Sequence, residues 1–338
     1  MKRIFLNAIV LTLSLALIPA VPACLGRKKA PENPSVSESQ PVREETPRSE
    51  PDFDLKEPYK VLDINTGEIM EVPVRDYVIG AVCAEMPAAF ESEALKAQAV
   101  AAHTYAERQR RISRSSPKSD LGGADFSNDT SKYQGYFTES QIKHYFGENY
   151  EEYYGKISAA CDEVADCILT YEDEPIIAAF HSMSAGMTES AENAWGTAVE
   201  YLVPVDSSAD MAAPKYEEEV RIALSFLQTR LEEVFDGVTL GDDASRWVMP
   251  AERSDSGTVL TALVGDKTVT GNDIRTALGL RSADFTVRVE GKEAVFTTKG
   301  FGHGVGMSQY GANAMAKEGS TWQEILKHYY KGCEIVRS

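Results

Sequence analysis

One proline constrains this fold more than any other residue. Residues 74–111 are rich in helix formers, and "CAEMPAAFESEALKAQAVAAHTY" sets Pro87 in their midst. Proline disfavours helical geometry at the residue before it, so the spacing predicts one helix ending within a residue or two of Glu85 and a second from about Ser92 to Arg111. Counting back from Glu85, Val82, Ala81, Val78, Tyr77 and Val74 lie on one face of the first helix. Leu95, Ala99, Ala102 and Ala106 form the inner stripe of the second, with Arg108, Arg110 and Arg111 near its C-terminus, where the helix dipole favours cations. Two helices thus meet at a corner holding one carboxylate. Glu85 is either a helix-terminal residue whose head reaches water, or a carboxyl in an apolar wall, its pKa raised so that it donates a proton near neutral pH.

The chain has 338 residues, enough for one large or two moderate domains, and its 43% hydrophobic content is ordinary for a globular protein. Its net charge of −18 disfavours a nucleic-acid role. The asymmetry is sharper than that figure, because residues 1–30 hold five Lys or Arg and no acid. There Met1-Lys2-Arg3 precedes an apolar run from Phe5 to Val21, which reads as an export signal or a membrane anchor. Val21-Pro22-Ala23 before Cys24 offers an irregular lipidation or cleavage site. Each reading places the rest of the chain outside the cytoplasm, at the cell membrane.

Residues 31–58 hold six prolines among Ser, Glu and Gln, and read as an extended, disordered spacer. Two strand-like runs around Asn65-Thr66-Gly67 then predict a hairpin. After the two helices, residues 113–134 read as a long polar loop. Helices are expected from Thr138 to Asn149, from Glu151 to Leu169 and over 216–236. Residues 174–196 read as a buried strand entering a loop of small polar residues. Strand alternation follows, with a short helix beginning near Asn272. The chain closes with "GFGHGVGMSQYG" and two helices. Strands and helices mixed without a regular rhythm argue for an α+β fold. The five cysteines form no framework, and neither a structural disulfide nor thiol chemistry is expected.

Two other segments carry chemistry. The glycine-dense turn at 300–311 presents His303, Ser308, Gln309 and Tyr310, either to a substrate or as a tight helix entry with His303 hydrogen-bonded in the core. His181 precedes Ser182 and Ser184, but no nucleophile elbow or placed acid accompanies it, so it reads as a hydrogen-bonding wall residue. The five histidines include no His-Glu-x-x-His, and no metal site is expected.

Taken together, "YVIGAVCAEMP", "EALKAQAVAAHTYA", "FHSMSAGMTESAENAWG" and "GFGHGVGMSQYGANAMAKEG" resemble the family of stage II sporulation protein D and the related amidase enhancers. The four motifs stand in the family's order between about residues 58 and 336. The resemblance implies a peptidoglycan lytic transglycosylase acting in engulfment of the forespore with stage II sporulation proteins P and M, without a cofactor. We therefore expect a single catalytic domain over 59–338, bilobed with a cleft between its lobes. The glutamate of the family's Glu-Met-Pro motif, here Glu85, is implied as the acid and base.

Tyr105, Gln134, His181, Gln309 and Tyr310 are then expected to hold sugar hydroxyls of glycan strands freed of stem peptides. His103, Ser182, His303 and Ser308 are expected to bind substrate as well. His103 stands where the family often has Arg, which suggests a pH-dependent contact in place of a fixed cation. Ala185 replaces a common glycine. Zinc ligands found in some relatives have no counterpart in "GGADFSNDTSKYQGYFT", and zinc is not carried over. A non-catalytic enhancer that holds glycan for a partner amidase is the alternative, and a structural protein of the spore envelope is a third reading.

Overall fold

The computed structural model of the chain describes residues 57–337. The expected membrane segment at 1–30, with Cys24, lies outside the described residues, as does the spacer up to residue 56. Glu57 belongs to the folded part: its carboxylate accepts from Arg114 Nη1 at 2.7 Å and its carbonyl from Arg110 Nη1 at 2.9 Å. Among the described residues no helix is long and apolar enough to cross a membrane.

The hairpin forms as expected, β1 (Tyr59–Leu62) pairing antiparallel with β2 (Ile69–Val72) in the register Tyr59↔Val72. Helix α1 (Val74–Glu85) stops where Pro87 requires it to. Met86 is extended, with φ −126°, and its N–H closes the last turn on the Val82 carbonyl at 3.0 Å. Helix α2 (Ser92–Ser115) runs four residues past its expected end. Arg108, Arg110 and Arg111 are therefore not its last turn; they bind the Pro175 carbonyl, Glu107 and Glu174. The stretch expected as a loop contributes β3 (Phe126–Ser127), which joins β1 in parallel.

Helix α3 (Glu139–Phe146) opens with a capping box between Thr138 and Gln141, and α4 (Tyr150–Asp162) follows. The helix expected to reach Leu169 ends at Asp162, and β4 (Cys167–Tyr171) takes up the remainder. The run Cys167-Ile168-Leu169-Thr170 is wholly buried, and a short continuous apolar run reads equally as helix or central strand by periodicity. After β5 (Glu174–Pro175), β6 (Phe180–His181) and α5 (Ala191–Trp195), the helix expected over 216–236 is half strand. Residues 217–223 alternate between exposed and more buried positions and form β7 (Glu217–Ala223), so α6 spans only Leu224–Val234.

The meander β8 (Val248–Arg253), β9 (Val259–Val264) and β10 (Lys267–Val269) leads into α7 (Gly271–Leu278) and the hairpin β11 (Phe285–Glu290) with β12 (Glu293–Lys299). The chain then forms β13 (Met307–Ser308), α8 (Gln309–Lys317), α9 (Trp322–Tyr329) and β14 (Glu334–Arg337), which pairs with β4.

The mixed α+β character is as the sequence predicts. Two main hydrophobic clusters divide it. The larger is built around α2, whose neighbours include α1, α4, α8, α9 and β4. With partners on several sides, α2 buries Gln98, His103 and Glu107 as well as its alanine stripe, more than one amphipathic face would. The smaller lies within residues 220–296, where Phe285, Phe296, Leu231 and Ile274 pack between α6, α7 and their strands. Cys83, Cys161, Cys167 and Cys333 are all buried free thiols.

Candidate active site around Glu85

Glu85 is the last residue of α1, and its side chain is half-buried. Burial pushes its pKa up, and one backbone donor opposes this: Gly135 N–H points at Oε1 from 2.6 Å. No ion pair involves Glu85 among the described residues. The carboxyl at this helix end keeps partial exposure and is held by a backbone donor, not by a cation. Gly135 is fitted to the carboxylate, because a Cβ there would sit 2.7 Å from Oε1 and 3.3 Å from the carboxyl carbon. Tyr105, half-buried on α2, is close enough for Glu85 to raise its phenol's pKa further beyond the effect of burial.

Three glutamines hold this corner. Gln309, at the start of α8, donates from Nε2 to the Glu85 carbonyl at 3.0 Å and to Gln98 Oε1 at 3.3 Å, binding the end of α1 to α2. Gln134 donates to the Tyr77 hydroxyl at 2.9 Å and the Ala102 carbonyl at 3.1 Å, which fixes the strand of loop that presents Gly135. The Nε2 donors of Gln309 and Gln134 are occupied by the protein itself, whereas Gln98 Nε2 and Gln134 Oε1 are buried without a partner among the described residues. Tyr310 packs edge-on to Phe90, centroids 5.0 Å apart, and so braces the turn after Pro87.

The glycine-rich turn approaches through backbone. Gly306 has φ +73°, and a Cβ would lie 2.0 Å from the Ala179 carbonyl, so only glycine lets β13 lie beside β6. Val305 N–H donates to His303 Nδ1 at 3.1 Å, which leaves the ring proton of neutral His303 on Nε2. In His181 the tautomer is reversed: Nδ1 donates to the Val305 carbonyl at 3.1 Å, and Nε2 is a buried lone pair without a partner. Burial lowers the His181 pKa to about 4 and that of His303 well below its usual value, with each other's charge and Arg275 adding to the effect at His303. The two imidazoles lie 5.8 Å apart, and Trp195 stands 5.5 Å from His303.

The structure thus sorts the expected binding residues. Glu85, Tyr105, Ser182, His303 and Tyr310 keep partial exposure. His103 does not: it is 1% exposed inside α2, and burial lowers its pKa to about 4. A pH-dependent contact between pH 5 and 8 is excluded for a ring that stays neutral there, and its burial closes it to a surface ligand. Ser308 is also enclosed, at 0% exposure; it caps α8 by accepting Gly311 N–H at 3.1 Å and donates to Asp210 Oδ1 at 2.8 Å. His181, Gln134 and Gln309 are buried supports of the wall.

Asp210, also at 0% exposure, was not legible in the sequence. Its Oδ2 accepts from Ser184 N–H at 2.8 Å, Ser184 Oγ at 2.6 Å and Ser207 Oγ at 2.9 Å, which joins the serine loop to the glycine turn. Gly135, Gln98, Trp195 and Arg275 were likewise missed; none stands at a spacing that marks it. The loop before α3 holds no Cys or His, and among the described residues no three Cys, His, Asp or Glu side chains gather as a metal site.

Residues 63–171 match the family described as "SpoIID: Stage II sporulation protein", a span that contains both Glu85 and Gly135. Over 267 residues the chain is 42% identical to stage II sporulation protein D of Bacillus subtilis, covering 79% of this chain and 75% of the relative. It is 39% identical over 310 residues to stage II sporulation protein D of Bacillus amyloliquefaciens, covering 92% of this chain and 85% of that one. The amidase enhancer of Bacillus subtilis is 25% identical over 307 residues, which cover 76% of this chain but 40% of the enhancer.

Proposed function

We propose, from the premise that the chain belongs to the stage II sporulation protein D family, that it is a peptidoglycan lytic transglycosylase of sporulation with Glu85 as its acid and base. The observation that carries this reading is a half-buried carboxyl with a raised pKa, one N–H donor and, among the described residues, no ion-pair partner. Such a group is largely protonated closer to neutrality than an ordinary carboxyl and can act as a general acid. An ordinary glycosidase needs a second carboxylate across the scissile bond.

A lytic transglycosylase works with one. Glu85 gives its proton to the glycosidic oxygen as the bond from the MurNAc anomeric carbon breaks. The resulting carboxylate takes the proton of the same sugar's 6-hydroxyl as that oxygen bonds to the anomeric carbon. The product is a 1,6-anhydro end, no water is consumed, and Glu85 is again protonated. The attacking hydroxyl belongs to the reacting ring, so proximity replaces the second carboxylate. Tyr105, Ser182, His303 and Tyr310 are partly exposed and are the groups we assign to sugar contacts. We place the activity in engulfment, on strands freed of stem peptides, with stage II sporulation proteins P and M as partners and the N-terminal segment as membrane anchor.

The test is Glu85→Gln, which keeps shape but cannot exchange a proton. Release of anhydro ends should fall by ~10² to 10⁴. The melting temperature at neutral pH should hold or rise, because ionising a carboxyl whose folded pKa is raised costs stability that is recovered as pH falls. A stable variant cutting at the parent rate would remove the assignment. Cleavage only when an amidase is added would favour the enhancer reading instead.

A further inference from the structure

Arg275 on α7 has no role in the reaction just described, yet its surroundings are unusual for an arginine. Its Nε donates to the Arg281 carbonyl at 3.3 Å, and that same carbonyl accepts Gly302 N–H at 2.9 Å. This shared acceptor places the guanidinium beside His303. Asn272, one turn earlier, donates to the Ala194 carbonyl at 3.0 Å, which brings α7 against α5 and its Trp195. Trp195 and His303 in turn face each other at 5.5 Å. The side chain of Arg275 is half-buried, and its two terminal nitrogens have no partner among the described residues.

Other arginines here behave differently. Arg75, Arg114, Arg221 and Arg288 are held up by carboxylates, whereas Arg275 is pushed down by burial alone, with no acid compensating it. A desolvated guanidinium without a counter-charge is costly unless something supplies one. Its free fork suits a bidentate carboxylate. An aromatic face and an imidazole beside it suit the apolar face and hydroxyls of a sugar ring.

We propose that Arg275, with His303 and Trp195, forms a subsite for a carboxylate carried on a sugar ring, the lactyl carboxylate of MurNAc. The proposal rests on the glycan reading above and gives it a specificity element. From Glu85 the path to this subsite runs through Gln309 and Tyr310, whose N–H donates to the Ser182 carbonyl at 3.0 Å, and on past His181 to His303. The cation expected at residue 103 is supplied here by a group that stays charged at every physiological pH. A stem peptide converts the lactyl carboxylate into an amide, which removes the charge that Arg275 reads.

The experiment measures binding by the full-length chain carrying Glu85→Gln, so that strands survive. The probes are stem-stripped glycan strands and the same strands with their carboxylates reduced to alcohols. The parent should bind the free-acid strands about tenfold to a hundredfold more tightly than the reduced ones, the range for losing a charge-assisted hydrogen bond. Arg275→Gln should lose that same factor on free-acid strands and bind reduced strands like the parent. Arg275→Lys, which keeps charge but not the fork, should fall between. Equal binding of both strand types by the parent overturns the proposal without any variant. Equal loss on both strand types in Arg275→Gln also overturns it, as a structural effect. If the parent binds neither strand, the glycan reading itself has failed and this subsite with it.

Discussion

Replacing Gly135 with alanine tests how the site holds its carboxyl. Gly135 is not among the positive-φ glycines, so alanine brings no backbone strain. The effect comes from contact. A Cβ at 2.7 Å from Glu85 Oε1 is about 0.7 Å inside ordinary van der Waals distance, and the carboxyl must turn aside. Turning breaks the 2.6 Å bond from Gly135 N–H, a charge-assisted interaction of ~1.5–3 kcal/mol. That donor is what opposes burial at Glu85, so without it the pKa moves further up and the limb of the pH–rate profile that reports Glu85 shifts to higher pH. Displacement approaching 1 Å at a proton-transfer group costs ~10²-fold in rate. Release of anhydro ends should be followed against pH, with melting temperature in parallel. Combining Gly135→Ala with Glu85→Asp should be less damaging than the two effects added, since the shorter acid leaves room for the methyl. A folded Gly135→Ala protein with the parent rate and the parent pH profile would refute the reasoning.

Two further outcomes follow from the buried polar groups. His103 and His181 are held neutral, with pKa values near 4 against an ordinary 6.5, and His303 is lowered too. Their unfolded forms bind protons first, so the stability they contribute is complete above about pH 6.5 and is lost as pH falls towards about 4. The melting temperature should drop steeply across that window, and His103→Gln should flatten the slope; an unchanged slope in a folded variant would contradict the burial argument. Asp210→Ala removes a buried acceptor shared by the hydroxyls of Ser184, Ser207 and Ser308 and by the Ser184 N–H. The cost should be ~3–5 kcal/mol, read as a fall of roughly 5–10 °C in melting temperature, and a fall within about 1 °C would mean that the serines find other partners.

Several features were legible in the sequence because their causes are local. Pro87 ends α1 at Glu85 through a clash between adjacent residues, and the Asn65-Thr66-Gly67 hairpin depends on a few neighbouring dihedrals. The helix near Asn272 starts at a capping box contained within four residues, Thr270 to Asp273. Period alone decided less. Residues 167–171 and 217–223 became strands because β14 and β12 lie beside them, and neither partner is visible from within the segment.

The site divides along the same line. Its central acid could be read from one chain break, but what surrounds that acid could not. Gly135 lies 50 residues away in the chain and Gln309 lies 224 away, and each meets Glu85 only in the packed chain. His103 shows the converse: a motif position expected to meet sugar is sealed in the core, because α2 has partners on the face that an amphipathic reading leaves to solvent. Residue type and spacing set the chemistry each side chain carries. Burial and pairing, which raise the pKa of one carboxyl, silence three imidazoles and leave Arg275 without a counter-charge, depend on distances between segments far apart in sequence, and those exist only in the packed chain.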